Sequence, residues 1–327
     1  MTKKRRHRRN NVNATQKATL NKDAAGSEEV GDRLSKLPND ILLNILERVD
    51  TLDAFAGLKR LWLRNMRFGE SDIPNILSTC KLLESLHLTN CDSGMNSVVQ
   101  LEHAKLTELE VKYGKFEIVE LTCLPKLQRV SYKGWFNSHK GPLYFGFVPQ
   151  LSKLRLTKIG TRPTRTLELS QLLDNVPHIG NLHLDFQSEK IWVLPESPKL
   201  LRPVLSQLQQ VNLDNLSEGC DLAWTMFILE AAPSLKELCI TVLDHWCNMV
   251  MRDKEDDIFV RFIRCVMEHA VNMAEISLHD RKKVCLRCGV LDPEMKYPSR
   301  YPRNADERTH ITEELGRSLP AMVRLWT

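Results

Sequence analysis

The stretch that decides the fold is LESLHL, at positions 83–88. Leucines occupy its first, fourth and sixth positions. The fourth and sixth lie two residues apart, so on an extended strand their side chains point to the same face. The first leucine fills the interior just ahead of that strand. The pattern L-x-x-L-x-L therefore predicts a short strand with an apolar inner face and outward-pointing residues between the leucines.

The same pattern recurs along most of the chain. It occurs in nine copies, at intervals of 21 to 29 residues until the last interval, which is 38. The copies are LKRLWL (58–63), LESLHL (83–88), LTELEV (106–111), LQRVSY (127–132), LSKLRL (151–156), IGNLHL (179–184), LQQVNL (208–213), LKELCI (235–240) and MAEISL (273–278). Such a period predicts stacked repeats that fold together, because one repeat cannot bury its apolar face alone. The expected fold is an α/β leucine-rich-repeat solenoid.

The segments between the strands return along the outside of the array, and several of them read as helices. The clearest is SDIPNILSTCKLL (71–83), where Asp72 is a candidate N-cap and Ile76, Leu77 and Cys80 form a buried stripe. RTLELSQLLDNVPHI (165–179) and DLAWTMFILEAAPSL (221–235) repeat the scheme.

Asparagines follow three of the strands. Asn65, Asn90 and Asn215 stand where a side-chain amide can bond free backbone groups at the bend.

A short amphipathic helix is predicted before the repeats, within LPNDILLNILERVD (37–50). Its length is marginal for an isolated helix, so its apolar stripe must dock on something. The sequence resembles the first half of an F-box. By that resemblance, the residues that bind a Skp-type adaptor, and through it a cullin, are Leu37, Pro38, Ile41, Leu42, Ile45 and Leu46. The resemblance stops at Phe55, so the helix has a second interpretation as a cap on the repeat array.

The chain as a whole resembles the plant F-box/leucine-rich-repeat proteins, with a truncated F-box. The last segment, 281–327, resembles the FBD-like region that follows the repeats in that family. The expected organisation is a basic arm (1–30), partial F-box helices (31–55), the repeat array (56–280) and the FBD-like tail (281–327). The resemblance implies a substrate-recognition subunit of an SCF-type (Skp–cullin–F-box) E3 ubiquitin ligase. The alternative is a protein-interaction scaffold that no longer binds the adaptor.

A protein target is expected on the outward positions of the strands. The candidate target-binding residues are Trp62, Arg64, Arg129, Lys133, Lys153 and Arg155. Asp185 and Asp214 are expected to form an acidic patch beside the basic one. Trp and Arg are the residue types that binding hot spots favour.

Charge and motifs limit the remaining classes of function. The net charge is +5, and KKRRHRR (3–9) carries more than that excess. Such a run is a nuclear-import signal, a nucleic-acid contact or a solvated arm, of which the nucleic-acid contact is the least favoured. We expect a nuclear or cytoplasmic protein, since neither a secretory signal nor an apolar run of membrane length occurs.

No enzymatic motif is found. The chain has no nucleophile elbow, no phosphate-binding glycine loop and no metal-binding His pair. Cys285 and Cys288 form a lone CxxC, whereas a zinc site needs four ligands. We therefore expect neither catalysis nor a metal or other cofactor.

Overall fold

The computed structural model describes residues 57–94, 97–135, 141–159, 166–187, 191–217, 222–243, 266, 272–280, 309, 313 and 323–326. All of them belong to one compact unit, Pro38–Thr327. No helix among these residues is long and apolar enough to cross a membrane.

The strands outnumber the helices in the described part of the chain. In chain order the strands are β1 (Arg60–Arg64), β2 (Ser85–Thr89), β3 (Val98–Glu102), β4 (Glu108–Lys112), β5 (Ile118–Cys123), β6 (Arg129–Trp135), β7 (Leu143–Phe147), β8 (Lys153–Lys158), β9 (Asn181–Asp185), β10 (Gln210–Ser217), β11 (Glu237–Leu243), β12 (Glu275–Asp280) and β13 (Val323–Trp326). The helices are α1 (Asp72–Thr79), α2 (Leu169–Leu172), α3 (Pro198–Leu205) and α4 (Met226–Ala231), the last preceded by a 3-10 helix, Leu222–Thr225.

Ten strands form one parallel sheet, called the main sheet below, in the order β1-β2-β4-β6-β8-β9-β10-β11-β12-β13. Each of the nine sequence patterns overlaps one of its strands, which confirms the predicted repeat strands. The inner leucines stack in register: Leu86 pairs with Leu109 and Leu88 with Val111, and each of these is at most 1% exposed. The tenth strand, β13, lies in the tail, for which no strand was predicted.

The return segments are more varied than predicted. Helices occur in all three segments predicted to contain one, and α3 is a fourth. Between β2 and β8 the chain returns as strands instead: β3, β5 and β7 form a second parallel sheet. Its inner residues, such as Val119 and Phe145, join the same core as the main-sheet leucines.

The N-cap prediction for Asp72 is wrong. The N-cap is Ser71, which makes no side-chain capping bond, and the Asp72 carboxylate accepts a hydrogen bond from the Gly69 amide at 2.7 Å.

Aromatic rings form a continuous chain through the later repeats. Consecutive ring centroids lie 5.1 to 6.0 Å apart, and most pairs meet edge to face, as aromatic quadrupoles prefer. The rings in order are Tyr132, Trp135, Trp192, Phe186, Trp224 and Phe227.

The turns after the strands have a similar conformation in several repeats. Asn65, Asn90, Tyr113 and Asn215 all have φ between 51° and 55°, the left-handed region that Asn tolerates better than most residues. The Asn90 amide donates to Asn65 Oδ1 at 2.7 Å, and the Asn215 amide donates to Asp185 Oδ1 at 2.7 Å. These two bonds link side chains of different repeats.

Candidate protein-binding face

The candidate site is the face of the main sheet opposite the leucines, called the outer face below. It consists of the first, third and fifth residues of each repeat strand of the main sheet. Register places these residues in rows that cross the sheet. The middle row runs Trp62, His87, Glu110, Ser131, Arg155, His183, Asn212 and Cys239.

All six predicted target-binding residues lie on the outer face. Trp62 is 55% exposed, which is a large fraction for this side chain. Arg64, Arg129, Lys153 and Arg155 are exposed, and Lys133 is half-buried.

The structure brings four of these residues together and leaves two apart. Arg129 pairs in register with Lys153, and Lys133 pairs with Thr157 two residues beyond Arg155. Trp62 and Arg64 lie on β1, which is separated from β6 by β2 and β4.

Trp62 packs beside a hydrogen-bonded cluster that could not be predicted from the sequence. Its ring lies 5.3 Å from the His87 ring, centroid to centroid. The two nitrogens of His87 contact Ser85 Oγ at 2.9 Å and Glu110 Oε2 at 2.8 Å. Lys112 Nζ lies 2.8 Å from the same carboxylate oxygen. These contacts restrict the imidazole ring and thereby the surface on which Trp62 rests.

The Glu110 carboxyl is held in its charged form. Burial raises its pKa, but the hydrogen bonds and charges of Lys112 and His87 outweigh this effect. The pKa of Glu110 therefore lies below its ordinary value.

The order serine–histidine–carboxylate also occurs in nucleophilic enzymes, in which the serine attacks the substrate. Such sites need donors aimed at the oxyanion that develops during acyl transfer. The Ser85 N–H already donates to the Lys59 carbonyl at 3.0 Å, and Ser85 is only 7% exposed. At this serine the geometry supports the positioning of His87 and Trp62 better than it supports attack on a substrate.

Three cations, Lys133, Lys153 and Arg155, form what is called the basic patch below. Arg129 borders it but lies 3.3 Å from the Glu108 carboxylate, so its charge is balanced. Lys133 Nζ lies 5.9 Å from the centroid of the Tyr113 ring. The patch therefore combines one cation over an aromatic face with two that extend towards solvent.

The prediction of an acidic patch is wrong, because Asp185 and Asp214 are only 4% and 7% exposed. Asp185 Oδ1 accepts hydrogen bonds from the side chains of Asn215 at 2.7 Å and Gln187 at 2.5 Å. Asp214 Oδ1 accepts one from Thr241 at 2.9 Å. His183 Nε2 lies 2.9 Å from Asp214 Oδ2, an ion-pair distance, although the atoms are not aligned for a hydrogen bond. These carboxylates bind their own neighbours.

Two groups of predicted residues lie outside the described part of the chain. They are the adaptor-binding set, Leu37, Pro38, Ile41, Leu42, Ile45 and Leu46, and the pair Cys285 and Cys288. Within the described residues, no group of three or more His, Cys, Asp or Glu side chains is arranged to hold a metal ion.

Comparison with known families agrees with this geometry. Residues 45–284, more than half of the chain, match the family model described as At1g61320/AtMIF1, LRR domain. No curated protein matches the chain.

Proposed function

The chain belongs to the leucine-rich-repeat family of the At1g61320/AtMIF1 type, and from this premise we propose that it binds a partner protein through the outer face. The observation that supports this most directly is Trp62. Its large ring is 55% exposed, yet it rests on an imidazole that hydrogen bonds hold in place. An exposed aromatic in a restricted position offers a partner much apolar area at a small cost in entropy.

We further propose that the chain is the substrate-recognition subunit of an SCF-type ubiquitin ligase. The support is the F-box resemblance of 37–55, with a Skp-type adaptor bound by Leu37, Pro38 and the aliphatic residues that follow. The outer face then holds the target, and another protein transfers ubiquitin. The chain itself only binds, in the nucleus or the cytoplasm.

A second candidate function is a scaffold that does not bind the adaptor. It is favoured by the position of the first repeat. Leu58 packs against the repeat core, and β1 begins at Arg60, shortly after the F-box resemblance stops at Phe55. The residues where an F-box would continue thus form the first strand of the main sheet.

A purified adaptor separates the two candidates. The full chain is expected to retain a Skp-type adaptor in a pull-down, and the double variant Leu37→Asp, Ile41→Asp is expected to lose it. If the unmutated chain retains no adaptor, the ligase form is excluded and the scaffold remains.

Site-specific photo-crosslinking tests the outer face itself. A photoreactive amino acid replaces Trp62 or Arg155, and a matched control replaces Leu200 on α3, which is 62% exposed. We expect the same protein to be enriched from positions 62 and 155 but not from 200. Trp62→Ala should then weaken the complex with that protein by about 2 kcal/mol, the scale of a hot spot. Equal capture from all three positions would contradict the proposal.

A further inference from the structure

We infer that the basic patch binds an extended acidic segment of the partner protein. This inference rests on the proposed function and adds the chemistry of the partner. It depends on which carboxylates near the patch are already occupied, and on the spacing of the three cations.

On one side of the patch, strand β4 presents two carboxylates that are already paired. Glu108 lies 3.3 Å from the Arg129 guanidinium. Glu110 lies 2.8 Å from both Lys112 Nζ and His87 Nδ1. Turning either carboxylate towards the patch would break these contacts, so β4 supplies no spare negative charge.

On the other side, strand β9 offers no accessible carboxylate either. Its outward residues beside Lys153 and Arg155 are Asn181 and His183. Its last residue, Asp185, is 4% exposed and accepts hydrogen bonds from neighbouring side chains. Among the residues that the structure describes, Lys153 and Arg155 therefore form no ion pair, and an acidic ligand can supply the missing negative charge.

The spacing of the cations suits an extended peptide. Lys153 and Arg155 are two residues apart on β8, which places their Cα atoms roughly 6.6 Å apart. Alternate residues of an extended peptide have the same separation, so acidic side chains at positions i and i+2 face both cations. Arg155 can bind a carboxylate through two parallel N–H donors. Lys133, on the neighbouring strand, provides a third contact beyond Arg155.

Charge alone would also attract nucleic acid, but single strands are held in addition by bases stacked on aromatic rings. The Tyr113 ring lies beside the patch, with Lys133 Nζ 5.9 Å from its centroid. This ring is therefore engaged by a cation, and the geometry favours a peptide over a nucleic acid.

The test uses the full chain and a fluorescein-labelled peptide of alternating glutamate and serine, followed by fluorescence anisotropy. The test variant is Lys153→Glu with Arg155→Glu. The matched control is Lys81→Glu with Lys236→Glu, two exposed lysines off the outer face that give the same change in net charge. The basic run at 3–9 is intact in both, so its contribution cancels. Equal unfolding midpoints establish that both variants are folded.

We expect the test variant to lose at least about tenfold in affinity, since each exposed ion pair contributes up to about fivefold and reversal adds repulsion. The control variant should bind like the unmutated chain, and binding should weaken as salt is raised. A peptide of the same composition with its glutamates in one block should bind less tightly than the alternating one.

Three outcomes would overturn the inference. They are no binding of the alternating peptide, equal losses in the test and control variants, and tighter binding of a single-stranded oligonucleotide that depends on the patch. Crosslinking from position 62 in the same preparations separates this inference from the proposed function. If position 62 still captures the same protein in the test variant, binding through the outer face stands. Only the inference of an acidic segment then fails.

Discussion

Gly146→Ala tests the packing between the second sheet's strands β5 and β7. A methyl group on Gly146 would lie 2.6 Å from the Thr122 carbonyl oxygen and 3.1 Å from that of Leu121. Both are backbone atoms, so no side chain can rotate away. Increasing the shorter distance from 2.6 Å to an ordinary 3.4 Å requires β7 to move away from β5 by about 0.8 Å.

The expected cost follows from this displacement. Overpacking typically costs about 1–3 kcal/mol. Replacing glycine by alanine recovers about 0.4–1 kcal/mol, by restricting the unfolded chain. We therefore expect Gly146→Ala to lower the free energy of unfolding by about 1 kcal/mol, within a range of roughly 0 to 2.6 kcal/mol.

Gly180→Ala is the matched control. Its methyl group would lie 3.6 Å from the Ser152 carbonyl oxygen, an ordinary contact. This variant should gain about 0.4–1 kcal/mol. The difference between the two variants, about 2 kcal/mol, is the quantity to measure.

Urea unfolding followed by tryptophan fluorescence measures that difference. Hydrogen exchange then locates it: the amide of Val119, which donates to the Pro142 carbonyl at 3.0 Å, should exchange faster in Gly146→Ala. If the two alanine variants are equally stable, β5 and β7 are farther apart at Gly146 than the 2.6 Å distance to the Thr122 carbonyl oxygen implies.

Three further predictions concern the core, pH and thiols. Leu109→Ala removes a side chain that is 0% exposed and should lower the free energy of unfolding by about 2–5 kcal/mol in urea titrations. Because the pKa of Glu110 is lowered in the folded chain, its contribution to stability is present at neutral pH and is lost as pH falls through that lowered pKa. The stability difference between the unmutated chain and Glu110→Gln should accordingly shrink below about pH 4, the ordinary range of glutamate. Burial raises the pKa of the Cys91 thiol more than its backbone hydrogen bonds lower it. A thiol reagent should therefore label Cys91 slowly until urea unfolds the chain. Cys123, which is half-exposed, should be labelled sooner.

The sequence did not predict which return segments form strands and which form helices. VVQLE and IVELTC alternate apolar and polar residues with the period of a strand, and Val99 and Leu101 are indeed buried on one side. The local signal was present. A repeat of this length also accommodates a helix, and packing against neighbouring returns selected the strand.

The outer face shows the same limit for the candidate site. Spacing along each strand correctly placed Trp62 and the basic residues outward. The contacts of His87 depend on Ser85 on its own strand and Glu110 on the next, 23 positions away in the chain. The burial of Asp185 depends similarly on Asn215, 30 positions away.

The sequence by itself determined which residues form the repeat strands and which side chains point inward, because both follow from a local period of two residues and a leucine at each rung. Only the tertiary structure decided which outward side chains meet, which carboxylates are buried, and which cations have no nearby counter-charge. The physical reason is that contacts across rungs depend on the register between segments far apart in the chain. A periodic pattern records each rung but not its alignment with the next.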